Sequence, residues 1–60
     1  MFLKFKDQKD SPVIINTANI ISITPFLEGC VVTTLGHGSY KLKDSVDQVW
    51  ETINDMINNN

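Results

Sequence analysis

The chain has 60 residues, 42% hydrophobic and 20% charged, with five lysines, seven acids, no arginine and a net charge of −2. That balance excludes disorder over most of the length. It also lacks the Lys/Arg footprint that phosphate neutralisation and base reading need, which disfavours nucleic acid as a partner. So short a chain makes one domain that buries only about 60% of its extended surface, and the single Cys30 cannot form an internal disulfide to compensate.

Met1, Leu3 and Phe5 alternate with Phe2, Lys4 and Lys6, the period-two pattern of a strand near residues 2–6. The charges at Lys4, Lys6 and Asp7 interrupt any apolar run long enough for a signal segment, and no stretch approaches the roughly 20 apolar residues of a spanning helix. A cytoplasmic protein without membrane insertion is expected. The cluster from Asp7 to Pro12 ends the first strand, and Val13-Ile14-Ile15 opens a second, with Pro12 where a missing N–H is tolerated.

Asn16-Thr17-Ala18-Asn19 carries side chains that bond their own backbone, which predicts a tight turn or one helical turn. Ile20 to Thr24 resumes as a strand closed by Pro25. Leu27-Glu28-Gly29 then offers a turn with Gly29 for a positive φ. Cys30 to Leu35 is another β-branched run. Tyr40 and Leu42 alternate with Ser39, Lys41 and Lys43 to form its partner strand.

Between those two strands lie Gly36, His37 and Gly38. Glycines supply the left-handed positions of a hairpin loop, so His37 is expected at a solvated loop tip. As a general base it has no acid nearby in sequence to orient it. A phosphate loop would need a helix directly after the glycines, and here a strand follows.

Ser45 with Gln48 three residues later is a capping box, and Asp47 falls where the helix dipole favours an anion. Val46, Val49, Trp50, Ile53, Met56 and Ile57 then recur at helical spacing as one apolar stripe. Asp47, Glu51 and Asp55 form a solvated ridge at i+4 intervals. One Cys and one His do not make a zinc site. No catalytic residue, cofactor or metal ligand is expected, and the chain is read as not an enzyme.

The expected architecture is α+β: a small antiparallel β-meander of four to five strands followed by one C-terminal amphipathic helix, in a single domain over residues 1–57 with 58–60 as a frayed tail. Tyr40, Leu42, Val46, Val49, Trp50, Ile53 and Ile57 are the expected core. Adjacent apolar pairs at Ile14/Ile15, Ile20/Ile21 and Val31/Val32 point to opposite faces, and one helix covers only one of them. The other face, with Ile14, Ile21 and Val32, is therefore expected to bury itself in a homo-oligomer, a two-fold dimer or higher.

From Val13 to Ile53 the chain reads VIIN-x-x-x-I-x-x-I, GCVVTT-x-G and Y-x-L-K-x-S-V-x-x-V. This resembles the small bacterial flagellar FlbD-type family, with counterparts at Ile15-Asn16, Ile20, Ile23, Thr34-Leu35-Gly36, Tyr40 and Leu42 to Val46. The chain departs from the family at Pro12 and the DQKDS loop, which replace the usual L-N-G hairpin, and at His37-Gly38, which lengthens the second turn. Similar small proteins occur in phage and mobile elements. The resemblance implies a non-enzymatic accessory protein acting through protein contacts, with no catalytic residues to carry over. Ile20 to Val49 is also similar to the LytTR-type DNA-binding domain, which implies a regulator-like nucleic-acid binder, but arginines and a strand after the helix are lacking.

Overall fold

The computed structural model describes residues 1–58. Strands β1 (Phe2–Lys6) and β2 (Pro12–Asn16) are followed by a 3₁₀ turn (Thr17–Asn19). Then come β3 (Ile20–Phe26), β4 (Gly29–Thr34), β5 (Gly38–Leu42) and the helix α1 (Val46–Asn58). All strand pairings are antiparallel and the class is α+β. Asn58, expected in the frayed tail, is the last helical residue; Asn59 and Asn60 lie outside the described residues.

The strands do not form one continuous meander. β1 and β2 make a two-stranded hairpin, and β3-β4-β5 make a separate three-stranded sheet. The break falls where Asn16 accepts a hydrogen bond on Oδ1 from the Ala18 N–H (3.2 Å) and caps the 3₁₀ turn. That helical turn redirects the chain, so β2 and β3 cannot close a hairpin. The sheets meet instead at a corner between the end of β1 and the end of β5. There the Lys43 N–H donates to the Lys6 carbonyl (2.9 Å), and Asp7 forms a single antiparallel bridge to Leu42. Lys43 Nζ donates to Asp10 Oδ1 at 2.9 Å on the surface.

The inner faces of the two sheets and the helix enclose one cluster: Phe5, Ile15, Cys30, Val32, Leu42 and Val49. Leu3, Val13, Ile20, Ile23, Tyr40, Val46 and Ile53 pack around it. Of the expected core, Leu42 and Val49 are fully buried, and Tyr40, Val46 and Ile53 are half-buried. Trp50 and Ile57 are not core residues, at 56% and 60% exposure. The hairpin already fills the space against the meander, so the helix needs only the Val49/Ile53 side of its stripe, and the Trp50/Ile57 margin turns outward.

Val32 is the clearest correction. Expected on the uncovered face, it has no exposed surface. Adjacent residues do split between faces, but the hairpin covers the side of β4 from which Cys30, Val32 and Thr34 project. The opposite side of the meander carries Ser22, Thr24, Thr33, Ser39 and Lys41 beside Val31, by the registers Ser22↔Thr33↔Ser39 and Thr24↔Val31↔Lys41. Lys41 Nζ sits 4.9 Å from the Phe26 ring centroid on that side. The far face of the meander is thus mainly polar, and the exposed apolar surface lies elsewhere.

The turns follow side-chain chemistry more than composition. Asp7 Oδ1 accepts from the N–H groups of Lys9 (2.8 Å) and Ser11 (2.9 Å), which shapes the β1–β2 connection. Gly36 and Gly38 both have the positive φ (81° and 82°) expected of them. Gly29 does not. The left-handed residue of that turn is Leu27 (φ 53°), while Gly29 lies in β4 against the Leu42 carbonyl, where a Cβ has no room. Pro25 sits within β3 rather than closing it, because β3 has a neighbour on one side only.

Candidate functional site

Exposed large apolar side chains come together in pairs on two surfaces, apart from the exposed Met1, Leu27, Leu35 and Ile57. The first is a groove between α1 and the edge strand β3, lined by Ile20, Ile21, Ile23, Val46, Asp47 and Trp50. Its geometry comes from a β-bulge. Ile20 pairs with Thr34 and Ser22 with Thr33, which leaves Ile21 without a partner. The extra residue shifts the strand's parity, so Ile20 and Ile23 both turn inward although they are three apart. Ile21 is rotated out, at 62% exposure.

The opposite wall of the groove is the helix, whose start is fixed by the expected capping box. Ser45 N–H donates to Gln48 Oε1 (2.8 Å), and Gln48 N–H donates to Ser45 Oγ (3.2 Å). This sets the rotation of the helix so that Val49 enters the core while Trp50 stands beside Ile21. Asp47 and Glu51, both exposed, flank Trp50. The helix carries three acids and no lysine.

The second place is the outer face of the β1–β2 hairpin. Alternation and the register Phe2↔Asn16, Lys4↔Ile14, Lys6↔Pro12 put Phe2, Lys4, Lys6, Pro12 and Ile14 on one side. Phe2 and Ile14 are 67% and 64% exposed. No acid stands among the strand residues of this face.

His37 is exposed at the tip of the β4–β5 loop, near Phe2, Ile14 and Tyr40, and its side chain makes no hydrogen bond among the described residues. Thr34 Oγ1 braces that loop by donating to the Gly38 carbonyl (3.0 Å). Cys30 is buried, and burial pushes its thiol pKa up, with a smaller contribution from Asp44 in the same direction. That environment disfavours the thiolate. Among the described residues, no group of three His, Cys, Asp or Glu side chains converges as a metal site would require. None of the described helices is long and apolar enough to cross a membrane.

Of the three residues expected to form an interface, the structure exposes Ile14 and Ile21 on different surfaces and buries Val32. Trp50, read from the sequence as core, joins Ile21 instead. One signal could have found this: Ile20 and Ile23 are three apart within a strand, which a regular period of two cannot place on one face. Phe2 was legible as an outward position but not as part of an apolar patch. Comparison with family models, with curated proteins and with solved structures finds no match.

Proposed function

We propose that the protein is a small, non-enzymatic, self-associating interaction module, an accessory protein of FlbD-like type from a bacterial or phage setting, working in the cytoplasm. One observation carries the reading: Ile21 and Trp50 stand exposed side by side in one groove. The core beneath them has only six buried hydrophobic side chains among the described residues. A domain this small gains from covering such surface with a partner, and a second copy is the partner always at hand. An exposed Trp is also among the side chains that most often anchor an interface.

Trp50 is the single tryptophan, so it reports directly on the groove. Its emission should move to shorter wavelength as the protein is concentrated through the micromolar range, and Ile21→Ser should suppress that movement while leaving the far-UV circular dichroism unchanged. Emission independent of concentration, together with a sedimentation mass of one chain throughout, would overturn self-association. Retardation of duplex DNA at low salt, lost on adding salt, would favour the regulator-like reading instead.

A further inference from the structure

The two exposed apolar surfaces differ in charge, and the difference bears on how copies meet. The groove surface, centred on Ile21 and Trp50, is lined by Asp47, and the exposed Glu51 follows Trp50 on a helix that has no lysine. The hairpin surface, centred on Phe2 and Ile14, carries Lys4 and Lys6 and no acidic strand residue. We propose that copies join head to tail, the lysine-bearing outer face of the β1–β2 hairpin of one protomer seating on the acid-lined groove of the next. The proposal rests on the self-association reading and specifies its geometry.

Charge selects this arrangement over a two-fold one centred on either surface. A two-fold axis through one patch brings that patch against its own equivalent. Groove on groove would set Asp47 and Glu51 against Asp47 and Glu51, and hairpin on hairpin would set Lys4 and Lys6 against themselves. Like charges juxtaposed at an interface disfavour it, whereas opposite charges steer and hold it. Strand addition along β3 is also blunted. That edge has a bulge at Ile21 and carries Pro25, two features that keep edge strands from pairing. The contact therefore runs through side chains.

Each apolar centre offers on the order of a few hundred Å², below the roughly 800 Å² per partner of a standard interface. The contact is accordingly weak and concentration-dependent. A heterologous contact leaves a free groove and a free hairpin at the two ends, so it extends to a ring or an open chain and does not stop at a pair.

Sedimentation velocity on the full chain, from low micromolar to near millimolar, tests this at two ionic strengths. The expected mass climbs past that of two copies with concentration and falls when salt is added, because opposite charges are screened. A Lys4→Glu/Lys6→Glu variant and an Asp47→Lys/Glu51→Lys variant should each lose roughly tenfold or more in association. Their equimolar mixture should assemble again past a pair, because the two reversed surfaces meet each other as the two unreversed ones do, and adding Ile21→Ser to the second variant should stop this one mixture at pairs held by the unreversed surfaces. Circular dichroism confirms that the variants are folded. A mass that saturates at two copies, ignores the hairpin reversal or rises with salt would overturn the head-to-tail geometry alone. One chain's mass under every condition would overturn self-association as well.

Discussion

Replacing Gly29 by alanine tests the packing that joins β4 to β5. A Cβ at this position would overlap the Leu42 carbonyl oxygen, with the Lys43 carbonyl oxygen 3.1 Å away. Both neighbours are backbone, so no side chain can swing aside and the Cys30↔Leu42 pairing must shift. Overpacking that moves backbone costs about 1–3 kcal/mol, and this contact belongs at the upper end. The whole fold, at about 0.05–0.15 kcal/mol per residue, is worth only about 3–9 kcal/mol. Gly36→Ala is the matched control: its Cβ meets nothing within 4 Å, but φ is +81°. The left-handed conformation costs an alanine about 1–2 kcal/mol, partly offset by about 0.4–1 kcal/mol from a less flexible unfolded chain. Urea unfolding followed by circular dichroism should show the Gly29→Ala midpoint falling well below that of Gly36→Ala, with unchanged slopes. With slopes near 1 kcal/mol/M, a loss of about 3 kcal/mol moves the midpoint by about 3 M. A Gly29→Ala midpoint matching that of the original protein, or lying above Gly36→Ala, would refute the close-approach argument.

Three other outcomes are expected. Ser45→Ala should cost about 1 kcal/mol in thermal or urea unfolding, and Gln48→Ala added to it should cost less than it does alone, since both residues serve one capping box. Cys30 should react with a thiol reagent only at the rate of unfolding, since it is buried and its pKa is raised by that burial; rapid labelling of folded protein would contradict this. The Lys43 hydrogen bond and charge lower the pKa of Asp10 from its usual 3.8. The stability this contributes is therefore present above pH 3.8 and fades as pH falls through the folded value. Asp10→Asn should be slightly less stable than the original at neutral pH and equal to it in strong acid. Because the pair is exposed, a large difference would be unexpected.

Several features were legible in the sequence because their causes are local. The strand alternation of residues 2–6, the 3₁₀ turn after Asn16, the positive φ of Gly36 and Gly38 and the capping box of Ser45 and Gln48 each depend on residues within a few positions of one another. The inward side of each apolar pair was not legible. Ile14 or Ile15, Ile20 or Ile21, Val31 or Val32 can each be told apart only by knowing what lies over the strand.

Residue order along the chain is enough to specify short antiparallel strands, one capped amphipathic helix and more apolar side chains than a single helix could cover. Backbone preference and periodicity suffice for that, because they act along the chain. Tertiary structure alone decided where the surplus went. The 3₁₀ turn swings the β1–β2 hairpin over the meander, which buries Val32 and leaves the meander's far side to Ser, Thr and Lys. The bulge at Ile21 and the rotation of the helix then bring Ile21 and Trp50 into one groove. Those are contacts between segments distant along the chain, set by the volume the packed layers leave unfilled, and no local pattern encodes them.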